Sequence, residues 1–278
     1  MADLRTPWDA GPYREEEALK LRNIGSLGDY EVGSVDGPTG TIRECLFDDE
    51  IWAVRFIVLD AGDWLPGRKI LISPLSIDEP EWDGQRLPVP LTRAQLMRGP
   101  TLGVDDPVSR LHQIDLYAYY GWPPYWIEEE YYEIPPHPSN IMSGLSQEQE
   151  KARDPHLFST HDTIEYRIEA LDGDIGYVTD FIFDEDDWVI YYFVVDITEN
   201  EHSRSVLIST EWIQRIVLDE ERVYVELDRE TVRSSPEYDP AVPITREYEL
   251  ELYDHYGRPR YWEQGGDTED EEDTRFSS

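Results

Sequence analysis

Cysteine is almost missing from these 278 residues. Cys45 stands alone, so the chain can form no internal disulfide and its fold does not depend on an oxidising compartment. Positive charge is also scarce: 24 Lys and Arg face 61 Asp and Glu, a formal net charge of -37. Such a surface repels phosphate backbones and anionic lipid headgroups, and no basic run offsets it. Direct nucleic-acid binding is therefore excluded as the leading reading. Long apolar runs are absent as well. The most apolar stretch, IWAVRFIVLD, contains Arg55, ends at Asp60, and falls short of the roughly 18 residues of a membrane span. The first residues, MADLRTPWDA, have no basic region leading into an apolar run, so no signal peptide is expected and the default is a soluble, cytoplasmic protein. No G-x-S-x-G elbow, G-x-G-x-x-G turn, phosphate-binding P-loop or calcium-loop spacing occurs.

What the chain does have is aromatic mass, with 9 Trp and 18 Tyr inside a 39% hydrophobic composition, enough for real cores. Two explanations fit the acid excess, simple solubility or adaptation to a salty cytoplasm that screens self-repulsion.

The chain also repeats itself. At an offset of 136 residues, Tyr30 through Trp126 align on Tyr166 through Trp262 without a gap. Asp36-Gly37 falls on Asp172-Gly173, Gly40 on Gly176, Phe47-Asp48 on Phe183-Asp184, and Trp52 on Trp188. Leu71-Ile72-Ser73 falls on Leu207-Ile208-Ser209, and Leu116-Tyr117 on Leu252-Tyr253. A unit near a hundred residues is too long for a solenoid repeat and long enough to enclose its own core.

Inside each copy, β-branched and aromatic runs flank an acidic turn: TIRECLFD and IWAVRFIVLD in the first, YVTDFIFD and DWVIYYFVVD in the second. Each pair reads as a hairpin. RKILIS and SVLIS supply a third strand, RLPVPL and RVYVEL a weaker fourth, with Pro88 and Pro90 pointing to a sheet edge. Thr92 and Asp228 are candidate caps of a short helical turn, and a closing helix ends at Gly121 or Gly257. Asp60 and Asp196, ending the longest strands, are placed to accept from the next turn. A short helix is expected over Glu15–Leu21 and another over Ser146–Ala152.

The pattern TIRECLFDDEIWAVRFIVLDAGDWLPGRKILISPLSI, with GYVTDFIFDEDDWVIYYFVVDI and RSVLIST in the second copy, resembles the PRC-barrel domain. That small β-barrel is found in the cytoplasmic part of the photosynthetic reaction-centre H subunit and at the C-terminus of the ribosome-maturation factor RimM. The resemblance covers residues 24–91 and 160–227 best. The extensions ending YYGWPPYW and HYGRPRYW are similar to those of bacterial stand-alone tandem members. The resemblance implies a mainly β fold of two small barrels, each with a partly helical C-terminal extension, in a non-enzymatic, protein-contacting role. The expected organisation is an N-terminal segment 1–23, repeats at 24–126 and 160–262, a linker 127–159, and an acidic tail 263–278 expected to be disordered.

Two residue groups are candidate sites. Asp48, Asp49 and Glu50, with Asp184, Glu185, Asp186 and Asp187, place hard oxygen ligands on hairpin turns where calcium or magnesium could bind; a solvated acidic turn is the plainer reading. Tyr120, Trp122, Tyr125 and Trp126, with Tyr256, Tyr261 and Trp262, offer rigid contact area, either for a partner or for packing each extension onto its own barrel. The leading expectation is a cofactor-free structural or protein-interaction module in which the two repeats pair about a pseudo-twofold axis. The alternatives are a divalent-metal-binding or hydrolytic protein using the acidic turns, and an RNA-maturation adaptor acting through a protein partner.

Overall fold

The computed structural model describes residues 19–62, 65–103, 106–123, 153–199 and 202–263. The expected helix over Ser146–Ala152, the acidic tail beyond Glu263, and Tyr125 and Trp126 lie outside these residues. So does most of the expected helix over Glu15–Leu21. Its last residue instead opens a strand, β1 (Leu21–Asn23).

The chain divides into two compact units. The first comprises Leu27–Asp48 and Val54–Ser159. Its strands are β2 (Glu31–Ser34), β3 (Gly37–Asp48), β4 (Val54–Asp60), β5 (Arg68–Ile72), β6 (Arg86–Pro88), β7 (Leu102–Gly103) and β8 (Leu157–Ser159). They pair in the order β6-β2-β3-β4-β5-β7, with β8 added to β3. All pairs are antiparallel except β2 with β6. Helix α1 (Arg93–Arg98) lies between β6 and β7 in the chain, and α2 (Arg110–Tyr120) between β7 and β8. The proline-bearing β6 stands at the end of the order, as Pro88 and Pro90 lead one to expect of a strand whose missing N–H groups face no ladder.

The second unit takes in residues 19–26, Asp49–Ala53 and 160–263. Its strands are β9 (Arg167–Ala170), β10 (Gly173–Asp184), β11 (Ile190–Glu199), β12 (His202–Ser209), β13 (Ile213–Val217) and β14 (Arg222–Val225), ordered β12-β11-β10-β9-β14-β13, with β1 added to β10. Helices α3 (Arg229–Ser234) and α4 (Arg246–Tyr256) follow. Among the described residues each order runs open from one end strand to the other; barrel closure is not seen in the pairing. Here the strand matching β6 is interior, because β13 continues the sheet beyond β14.

The local signals act as read. Thr92 and Asp228 cap α1 and α3 through bonds from the Gln95 and Thr231 amides, and Gly121 and Gly257 end α2 and α4 at φ 74° and 61°, where a Cβ would be strained. Asp60 accepts from the Gly62 amide at 2.9 Å. Asp196 does not end its strand, because β11 runs on to Glu199; its carboxylate accepts from the Ser203 hydroxyl across the hairpin instead.

Gly40 and Gly176 lie inside β3 and β10, where the backbones run too close for a side chain. A Cβ on either would collide with the carbonyl oxygen of Asp60 or Asp196. Gly40→Ala and Gly176→Ala are each expected to lower the unfolding free energy by about 1–3 kcal/mol. Gly28→Ala, with open space around it, is the near-neutral control in the same urea titrations.

The leading strands are exchanged between the repeats. β1, which precedes the first repeat, lies in the sheet of the second unit, and β8, which precedes the second repeat, lies in the sheet of the first. The registers are equivalent: Leu21, Arg22 and Asn23 oppose Asp184, Phe183 and Ile182, while Leu157, Phe158 and Ser159 oppose Asp48, Phe47 and Leu46. In each unit the strand's last residue also bonds a carboxylate of the strand it joins. Asn23 donates to Asp180 at 3.0 Å, and the Ser159 hydroxyl donates to Glu44. The stretch 157–159, read from the sequence as the end of a linker, is thus part of the first sheet.

Candidate functional site

The acidic turns are occupied by structural work. Asp184 accepts from the Asp186 amide at 2.8 Å and Asp187 from the Val189 amide at 2.9 Å, closing the β10–β11 turn. Burial pushes the Asp184 carboxyl up, which weakens it as a cation ligand. Asp186 pairs with Lys20 at 2.9 Å and Glu185 accepts from Arg22 at 2.8 Å, so this turn supplies counter-charges to β1 and the residue before it. In the first unit Asp48 is buried against Arg55, 3.8 Å away. Asp49 is half-buried and Glu50 exposed. Among the described residues no three His, Cys, Asp or Glu come together as a metal site. No helix among them is long and apolar enough to cross a membrane.

The described aromatic side chains of the extensions pack on their own units. Trp122 is buried in the first core with Phe56, Leu116, Tyr117 and Leu157, and Tyr120 stacks on it at 4.6 Å. Its indole N–H donates to the Ser76 hydroxyl at 2.5 Å. In the second unit Tyr256 and Tyr261 are buried and Trp262 is half-buried. Tyr256 packs on Trp212 at 4.4 Å, Tyr261 on Tyr191 at 4.9 Å, and Trp262 on Tyr253 at 5.2 Å.

Beneath α4 lies a buried polar cluster. Glu249, fully buried, accepts from Tyr192 at 2.7 Å and Tyr261 at 3.1 Å and pairs with Arg246 one turn earlier. Burial is the larger influence on its carboxyl and pushes it up, against the opposing pull of Arg246 and the two tyrosines. Tyr253 donates to Glu211 at 3.2 Å, and burial raises that carboxyl to about 7. The equivalent positions of the first unit are Gln113 for Glu249, Phe56 for Tyr192 and Leu75 for Glu211. There the carboxylate comes from outside the helix: Asp154 accepts from Gln113 at 2.7 Å and pairs with Arg110 at 3.0 Å. Each closing helix therefore gives its first arginine a carboxylate, from a different part of the chain in each unit. Glu249, Tyr192, Tyr253 and Tyr261 are buried, with Arg246 and Glu211 half-buried at the margin, and the cluster serves the fold.

The surfaces diverge where these cores do not. Met97 and Tyr119 are exposed at 47% and 42% in the first unit. Tyr119 donates to the Gln95 carbonyl at 2.9 Å, which ties the end of α2 to α1, and packs edge-on against Tyr120 at 4.8 Å. In the second unit Arg233 and His255 hold the Met97 and Tyr119 positions, and the His255 ring is tied to the Thr231 carbonyl at 2.8 Å. Met97 was not a sequence candidate; setting Met97 and Tyr119 against Arg233 and His255 in the repeat alignment would have singled both out.

Residues 157–232 match the PRC-barrel domain family model, a match that begins on β8, the strand held in the sheet of the first unit. No curated protein matches the chain. Residues 21–120 have a similar topology, which suggests a tandem pair.

Proposed function

We propose that the chain is a non-enzymatic interaction module built from two PRC-barrel-like repeats, with its docking face on the first unit. The carrying observation is the exposure of Met97 and Tyr119, with Tyr120 packed beside Tyr119, at positions where the second unit has Arg233, His255 and a buried Tyr256. A fold that needed this face to be apolar would have kept it so in both copies. Aromatic side chains with few rotatable bonds make efficient contact surface, and the acidic surroundings disfavour anionic partners. The pairing of the two repeats belongs to the same proposal. It is supported by the equivalent strand added to each sheet from the other repeat, the arrangement expected of a fused homodimer.

A photo-activatable benzoyl-phenylalanine at position 119, compared with one at position 255, tests the docking face in the native cells. The proposal expects a cross-linked species of one discrete mass from position 119, lost on Met97→Glu, and none from position 255. No discrete adduct at 119, or the same adduct from both positions, overturns it.

A further inference from the structure

The second unit carries a groove of about 630 Å³ between the start of β1 and the loop leading into α4, lined by Leu19, Lys20, Arg22, Tyr238, Val242 and Ile244 among others. Val242 is 57% exposed on its wall, an apolar side chain beside Pro240 and Pro243. The same place in the first unit is covered by the chain that leads into β8. There Asp154 donates its amide to the Val108 carbonyl at 3.1 Å, and Arg153 forms an antiparallel bridge with Ser109. At the repeat offset, Val108 and Ser109 become Ile244 and Thr245, while Arg153 and Asp154 become Glu17 and Ala18.

We propose that the groove is the docking site of this chain's own N-terminal segment, with Glu17 and Ala18 set against Thr245 and Ile244 as Arg153 and Asp154 are set against Ser109 and Val108. The occupant needs no search, since Leu19 already lines the groove and the 18 residues before it are tethered there. The change from Asp154 to Ala18 fits the same picture. In the first unit the docked segment must bring a carboxylate to Arg110; in the second, Glu249 already supplies one to Arg246, so the docked residue can be small and neutral. Trp8 and Tyr13 lie within reach upstream and match the exposed Val242 and its prolines in character.

Opposed residues on antiparallel strands stand at a Cα spacing that a disulfide can span. The test is therefore a pair of cysteines in the full chain, Glu17→Cys with Thr245→Cys, oxidised under mild conditions. Ser109→Cys with Arg153→Cys is the control. Each pair removes one helix-capping hydroxyl, so the cost to folding is matched. Native Cys45 is buried and stays out of the exchange. The expected result is an intramolecular cross-link at 17–245 within about twofold of the control yield. A control that closes while 17–245 stays reduced overturns the proposal, as does a 17–245 product that is a disulfide-linked dimer, which would make a second copy the occupant. In the unaltered chain, the Ala18 amide is expected to be protected from hydrogen exchange within about tenfold of the Asp154 amide. Exchange at the rate of an unstructured chain contradicts it.

Discussion

Replacing Glu249 by alanine is expected to lower the unfolding free energy by about 3–5 kcal/mol, the cost of removing one member of a buried, hydrogen-bonded ion pair. Arg246 loses its buried counter-charge, and the buried Tyr192 and Tyr261 hydroxyls lose their acceptor. Glu249→Gln is expected to cost less, about 1–3 kcal/mol, because an amide oxygen still accepts from both tyrosines while Arg246 loses its counter-charge. The first repeat already holds Gln113 at this position, fully buried. The two variants separate with pH. Burial raises the Glu249 carboxyl, so its stabilising contribution is complete below the unfolded value of about 4.3 and is lost as pH rises through the folded value. Glu211, raised to about 7, acts in the same direction. The chain should therefore lose stability between pH 5 and 8, and Glu249→Gln with Glu211→Leu should flatten that slope. Urea titrations at several pH values read both effects.

Phe158→Ala is the second large effect, and its location matters more than its size. Phe158 is buried in β8 and stacks on Phe47 at 5.9 Å, so truncation should cost about 3–5 kcal/mol. By sequence Phe158 sits at the threshold of the second repeat, at the first residues of the matched domain. By structure it belongs to the first sheet. Hydrogen exchange should accordingly speed up in peptides covering β3 and β4 while those covering β10 and β11 keep their protection. Loss of protection confined to β10 and β11 would place the strand in the wrong unit.

These two sites also mark what a single sequence made legible. The repeat register, the hairpins around the acidic turns, the caps at Thr92 and Asp228 and the glycine helix ends all rest on local chemistry, and local chemistry is written in neighbouring residues. The aromatic extensions were visible as well, though their side chains could equally serve a partner or the core. Trp122 and Tyr261 turn inward onto Ser76 and Tyr191, a fact about tertiary neighbours. The fate of β1 and β8 was harder to read. Leu21 and Leu157 obey the same offset, but both lie before the stretch where the alignment becomes dense, and a three-residue strand has no period of its own. Which sheet such a strand joins depends on partners about 160 residues away in one case and about 110 in the other. The carboxylate swap between Asp154 and Glu249 was likewise hidden, since the residues that compensate each other are distant in the chain.

The exchange of leading strands is the central claim, and a single cut tests it. With a protease site placed between residues 127 and 150 of the full chain, cleavage separates the repeats covalently while leaving β1 and β8 attached to their own halves. The account predicts that the two pieces remain together in native size-exclusion chromatography at the elution position of the intact 32.5 kDa chain, parting only in denaturant. Two freely separating fragments, each as stable as the intact chain, would contradict it.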